Sequence, residues 1–226
     1  MKKILMAILL ASQFGLAQKG KFEFGLVGGY NTASVSSIQA PFSDQDVSSR
    51  AGVNIGLSSE YHFAENWSVN LKVLYDQKGL DGYNVSFDLT PESGYNQFGS
   101  FSDFDLKYLT FPVTAHWNFG KKVNFSIGAG GYVGYLLDSN ADDINRISFD
   151  PLDLNGNSTL NPLDFEEMDY GAVVSAGAKY PLTEAFRIGF EYEFQQGFSE
   201  VLQPNIYRDK HTNSRHSFNL GVYYRL

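Results

Sequence analysis

The chain carries four histidines, His62, His116, His211 and His216, and no cysteine. An imidazole can draw a proton from a hydroxyl only where base and nucleophile stand within hydrogen-bond reach. His211 and His216 fall near Arg208, Asp209, Ser214 and Ser217, around the last polar stretch of the chain. His62 and His116 sit instead within alternating apolar segments. No recognised catalytic motif surrounds any of the four, so the sequence assigns no catalytic and no cofactor-binding residue, and a non-enzymatic protein is expected.

A second candidate is Asp153-Leu154-Asn155-Gly156-Asn157-Ser158-Thr159-Leu160-Asn161-Pro162-Leu163-Asp164. It resembles the calcium loop of dockerin-type EF-hands. Asp153, Asn155, Asn157, Asn161 and Asp164 occupy positions 1, 3, 5, 9 and 12, and the Thr159 carbonyl falls at position 7. Ser158 stands where glycine permits the sharp turn, and Asp164 stands where a bidentate glutamate is usual. With two carboxylates, the expected calcium affinity is that of weak extracellular modules, about 10⁻⁴–10⁻³ M. No other cofactor is expected.

The elements that must position these residues begin with a targeting signal. Met1-Lys2-Lys3 precedes an apolar run from Ile4 to Ala11, and small residues stand at Gly15 and Ala17. This pattern predicts a secretory signal peptide over residues 1–17, leaving one domain over 18–226. The apolar run is well short of the ~20 residues of a spanning helix. Removing Lys2 and Lys3 changes 17 basic against 25 acidic residues to 15 against 25, so net −8 becomes −10. Such an acidic chain is a poor nucleic-acid ligand, because phosphate attraction needs clustered Lys and Arg. Without cysteine, an exported chain has no disulfide staples and depends on backbone hydrogen bonds and packing.

Eight segments alternate with period 2, which would scatter their apolar residues around a helix but collects them on one face of a strand. In the seventh, Phe186, Ile188, Phe190, Tyr192 and Phe194 oppose Arg187, Gly189, Glu191, Glu193 and Gln195. The others are centred on 22–31, 53–63, 67–76, 108–119, 123–135, 169–180 and 217–226. Their links alternate in length. Ala64-Glu65-Asn66, Gly120-Lys121-Lys122 and Pro181–Ala185 are short, whereas Ser34–Ser49, Gly79–Asp103, Asp138–Glu167 and Ser199–Asn213 are long and polar.

Sorting of loop length by side implies an all-β fold: an eight-stranded antiparallel up-and-down transmembrane β-barrel with four long outer loops and short periplasmic turns. Trp67, Trp117, Phe63, Phe119 and Phe186 stand beside the short turns, with Tyr30, Tyr75, Tyr135 and Tyr170 at the opposite strand ends, as two interfacial belts. The inward faces collect Glu23, Glu60, Asp76, Asp169, Glu191 and Glu193 with Lys72, Lys179, Arg187, Arg215 and Arg225. An eight-stranded interior is just wide enough for side chains to fill, so these charges are expected to pair into an ionic plug.

Tyr108-Leu109-Thr110-Phe111-Pro112-Val113, Asp169-Tyr170-Gly171 with the later Gly177, and Phe190-Glu191-Tyr192-Glu193-Phe194 carry a family resemblance. With these segments the mature chain resembles the eight-stranded outer-membrane β-barrels of Bacteroidetes, the PorT-like group. The resemblance implies an outer-membrane location and an environment of outer-membrane lipid; some relatives serve protein secretion or gliding. Asn219-x-Gly221-x-x-Tyr224-x-Leu226 resembles the terminal signal read by barrel-assembly machinery, with Leu226 in place of the usual Phe.

The reading that follows is a non-enzymatic outer-membrane barrel with a structural, adhesive or accessory role through its extracellular loops, whose ligand the sequence does not name. A small-solute porin would need an open lumen. A soluble exported barrel of lipocalin type would need the opposite arrangement, apolar inside and polar outside.

Overall fold

A computed structural model describes residues 22–36, 48–81, 84–87, 97–100, 104–141, 165–201 and 212–226. Its strands are Phe22–Ser36 (β1), Ser48–His62 (β2), Trp67–Asp81 (β3), Asn84–Phe87 (β4), Gln97–Ser100 (β5), Phe104–Phe119 (β6), Asn124–Ala141 (β7), Met168–Pro181 (β8), Phe186–Gly197 (β9) and Thr212–Arg225 (β10). Eight of them close a barrel in the order β1-β10-β9-β8-β7-β6-β3-β2, every pair antiparallel. Closure joins the first and last strands from Glu23↔Arg225 to Ser36↔Thr212. A closed ladder leaves no strand edge unpaired, which is what hydrocarbon demands of any sheet that crosses it. Among the described residues no helix is long and apolar enough to cross a membrane.

Alternation decides which side chains meet which medium. On β1, Phe24, Leu26 and Tyr30 are exposed, while Glu23, Val27 and Asn31 are buried. On β10, Phe218, Leu220, Val222 and Tyr224 point out, and Arg215, Ser217, Asn219 and Tyr223 point in. The interior is thus mostly polar and the outer surface apolar, which rules against the lipocalin arrangement. Trp67, Trp117, Phe63, Phe119 and Phe186 lie exposed at the short-turn end, and Tyr30, Tyr75, Tyr135 and Tyr170 at the other, as the alternation predicts.

The short turns have specific backbone causes. Phe63 N and Ala64 N both donate to Trp67 O, at 3.2 Å each. Leu182 N donates to Phe186 O at 2.9 Å, and Thr183 Oγ1 accepts from Phe186 N at 2.9 Å. Gly120 opens its turn with φ +105°, a left-handed conformation that a Cβ would strain; such an atom would also strike Val123 O.

The structure departs from the sequence reading at the outer ends. Strands run past the expected limits: β1 reaches Ser36, β3 reaches Asp81, β7 reaches Ala141, and β10 already begins at Thr212. The second long link also contains a separate two-stranded hairpin, β4–β5, paired from Asn84↔Ser100 to Phe87↔Gln97. Polar composition hid these extensions, because strands that rise above the bilayer need no apolar face. Register shifts at Ser49/Asn54 and Lys107/Tyr108 fall in the same region, where bulges bend barrel rims.

Candidate functional site

Among the described residues the buried polar side chains gather in the lumen, placed there by strand alternation. Glu23 from β1, Glu60 from β2 and Lys179 from β8 meet near the short turns. Lys179 Nζ bonds both carboxylates, reaching Glu60 Oε2 at 2.5 Å, and it lies 4.1 Å from the centre of the Tyr223 ring. Arg187 Nη1 stands 3.5 Å from Glu23 Oε2.

Higher in the barrel, Lys72 binds Glu191 and Glu193, the latter at 2.7 Å. Arg215 spans Asp76 and Glu193, at 2.9 Å to Glu193 Oε1. Gln195 Nε2 and Asn31 Nδ2 each supply a further 2.9 Å bond, to Glu193 Oε1 and Asp76 Oδ1 respectively. All these ions are buried, and burial of charge is tolerated only with partners of opposite sign and satisfied oxygens.

Asp169 on β8 forms a third centre. It accepts from Lys78 Nζ at 2.8 Å, Ser199 Oγ at 2.9 Å, Tyr132 OH at 3.1 Å and Asn213 Nδ2 at 3.2 Å. The Lys78 ammonium lies 4.7 Å from the centre of the Tyr132 ring and 5.1 Å from that of Tyr108, within cation–π range. Beside it Val35, Leu106, Tyr108 and Val201 form a buried apolar cluster, with Leu136 and Phe165 packed against it. Glu166 N to Val201 O at 3.0 Å and Phe198 N to Tyr170 O at 2.8 Å hold this closing segment.

The expected inward carboxylates are therefore lumenal, and Lys72, Lys179, Arg187 and Arg215 pair with them. Sequence reading missed Lys78, which it left beyond the end of the third segment. The inward series Lys72, Leu74, Asp76 continues to Lys78 with the same period, and that was the available signal.

Three of the four histidines can be placed. His62 and His116 face the lumen near the short turns, as expected. His116 Nε2 lies 2.8 Å from Thr114 Oγ1 and 3.3 Å from Ser175 Oγ, while its Nδ1 stands 3.7 Å from Glu60 Oε1. A serine, a histidine and a carboxylate are in sequence here, but Thr114 shares the same nitrogen and Gly128 packs flat against the ring. A Cβ at Gly128 would fall 2.5 Å from Nε2. The two hydroxyls and the Glu60 carboxylate hold the imidazole in place within the lumen.

His216 lies just beyond the last long link, around which the sequence had placed it. It is a β10 residue on the outer face, opposite Phe194, with Nδ1 2.7 Å from Tyr192 OH. His211 lies outside the described residues, as do Arg208 and Asp209. The calcium-loop positions Asp153, Asn155, Asn157, Thr159, Asn161 and Asp164 also lie outside them. Among the described residues no group of three His, Cys, Asp or Glu is arranged to hold a metal ion.

A closed antiparallel barrel with aromatic belts, an apolar exterior and paired charges inside defines an integral outer-membrane β-barrel protein. Residues 12–203 match the family described as outer membrane protein beta-barrel domain, and the chain belongs to that family. Among solved structures it is similar to the outer membrane protein OprG from Pseudomonas aeruginosa. The TM-score is 0.56 and the identity 15%, over 92% of this chain and 97% of that one. Neisserial surface protein A (NspA) aligns at 15% identity and TM-score 0.49, over 90% and 97% of the two chains. Ail, the attachment invasion locus protein of Yersinia pestis, aligns at 16% identity and TM-score 0.42, over 92% and 100%. No curated protein sequence matches the chain. At such identities the OprG likeness shows the fold, and the family places the chain in the outer membrane.

Proposed function

We propose that this barrel is a non-enzymatic, side-chain-filled anchor that displays its four long links outside the cell, where they act in adhesion or as an accessory surface. The observation that carries the reading is the lumen: Arg215, Lys72 and Lys78 each bind carboxylate across it, beside the buried apolar cluster of Val35, Leu106, Tyr108 and Val201. Such a filling favours an anchor over a solute porin.

Charge distribution supports the same reading. Links 37–47, 82–103, 142–167 and 198–211 contain 14 Asp and Glu against 3 Lys and Arg, while the rest of the chain from Phe22 onward contains 11 against 10. The barrel is close to electroneutral, and the net negative charge belongs to the segments on the long-link side. A partner met there would be recognised by cationic groups, in keeping with a surface role. Within this proposal the chain is a PorT-like barrel of the Bacteroidetes type, on the strength of the Tyr108–Val113 and Asp169-Tyr170-Gly171 segments. Residues 1–17 serve as its signal peptide, the terminal Asn219-x-Gly221-x-x-Tyr224-x-Leu226 strand engages barrel-assembly machinery, and Asp153–Asp164 provides a weak calcium loop.

Protease treatment of intact cells tests the display, combined with planar-bilayer recording of the purified barrel. Cleavage confined to the four long links, with no unitary conductance steps, is the expected outcome. Steady ohmic channels would sink the anchor reading, and cleavage at the short turns of intact cells would reverse the orientation.

A further inference from the structure

The outer face carries a groove of about 650 Å³ that runs across the strands rather than along them. One wall is the register row Ile55, Gly28, Leu220, Phe190 and Ala178, each residue directly opposite the next on neighbouring strands. The other, two residues closer to the short turns, passes through Leu26, Val222 and Ile188 to Tyr180. Gly28 and Ala178 lower the first row near its two ends, so the depression follows from residue size.

The groove is apolar along its length and ends at a cationic lip. Val123 and Tyr180 line that end, next to the Gly120-Lys121-Lys122 turn. Lys122 Nζ stands 5.8 Å from the centre of the Tyr180 ring, and Lys121 and Lys122 are both exposed. Four strand-to-strand steps of roughly 4.8 Å give the walls a run of about 19 Å. One leaflet contributes roughly 15 Å to the hydrocarbon core, and barrel strands are inclined to it, so this run is the reach of one fatty-acyl chain within one leaflet. Interfacial lysines attract anionic headgroups.

We infer that this groove with its two lysines is a binding site for a single anionic phospholipid of the leaflet on the short-turn side. The phosphate is held by Lys121 and Lys122 beside Tyr180, and one acyl chain lies between the two register rows. The site requires only that the barrel sit in the membrane; it does not depend on what the outer links bind.

Two kinds of variant separate the headgroup from the chain. Lys121→Ser with Lys122→Ser removes the charge. Gly28→Leu fills the groove without strain at its root, since a Cβ there meets only Asn54 O at 3.5 Å and Ile55 Cγ1 at 3.9 Å. Ala178→Leu fills it from the other end and serves if Gly28→Leu assembles poorly.

The full barrel would be placed in nanodiscs with equal phosphatidylglycerol and phosphatidylcholine of identical chains, released into mild detergent, and weighed intact with its retained lipid. The expected result is one retained phosphatidylglycerol. The preference should fall about fivefold per lysine removed, and retention of either lipid should fall in the groove-filled variants. The inference is overturned by wild-type protein that retains no lipid or both equally, by a double-serine variant that keeps its preference, or by filled variants that retain as much as wild type.

Discussion

Tyr223 of β10 lies over Gly25 of β1, its direct register partner, so closely that a Cβ on Gly25 would fall 2.6 Å from the ring's Cε1. The ring also leaves no space for a Cβ at Gly221 and meets one at Gly189 at 3.0 Å. One aromatic thus occupies the volume that three glycines vacate, across the seam where the first and last strands close the barrel. Val27 and Leu74 pack with it as one apolar cluster of the lumen.

That relationship makes Gly25→Ala an over-packing substitution, with an expected cost of about 1–3 kcal/mol. Tyr223→Ala should also destabilise, yet the double variant should cost less than the sum, because removing the ring frees the space that the methyl needs. Urea unfolding of the barrel in lipid vesicles measures all four corners of the cycle; strict additivity would show that the ring does not hold this position.

Arg215 and Lys107 predict opposite sensitivities. Arg215 is fully buried between Asp76 and Glu193, so Arg215→Ala strands two carboxylates and should cost about 3–5 kcal/mol. Lys107 pairs with Asp138 at 2.7 Å at the outer rim, where solvent screens the pair, and Lys107→Ala should leave stability almost unchanged. The same unfolding assay compares them, and equal losses would contradict the buried network.

The short-turn belt can be located by quenching. Trp67 and Trp117 are register partners, both exposed, and Trp117 packs 5.0 Å from Phe119. Interfacial indoles should be quenched more strongly by lipids brominated near the headgroup than by lipids brominated near the chain end. Stronger quenching by the deep label would place these rings in the bilayer core.

Calcium should protect residues 142–164 from proteolysis at concentrations near a millimolar, and Asp153→Ala should abolish that protection. A cleavage pattern indifferent to chelator would remove the calcium loop from the proposal.

Much of the architecture was written in local pattern. Phe186, Ile188 and Phe190 against Arg187, Gly189 and Glu191 specify a strand with one lipid face before any partner is known, because side chains alternate strictly along an extended chain. The short Gly120-Lys121-Lys122 turn beside Trp117 and Phe119 likewise marks one end of the barrel. At the outer rim the same reading stopped short: Thr212–Ser214 and Lys78–Asp81 are strand without a continuous apolar face, and the bond of His216 to Tyr192 on the outer face was not legible.

Period and loop length are one-dimensional properties, so residue order alone carries eight alternating segments, their closure into a barrel and the charge inside it. Partner choice belongs to the assembled barrel: Lys179 answers Glu23 and Glu60, Arg215 answers Asp76 and Glu193, and Tyr223 fills the place of absent side chains on Gly25, Gly189 and Gly221. Those choices depend on strand stagger and barrel diameter. Both arise from closing the first strand onto the last, a condition that no local segment contains.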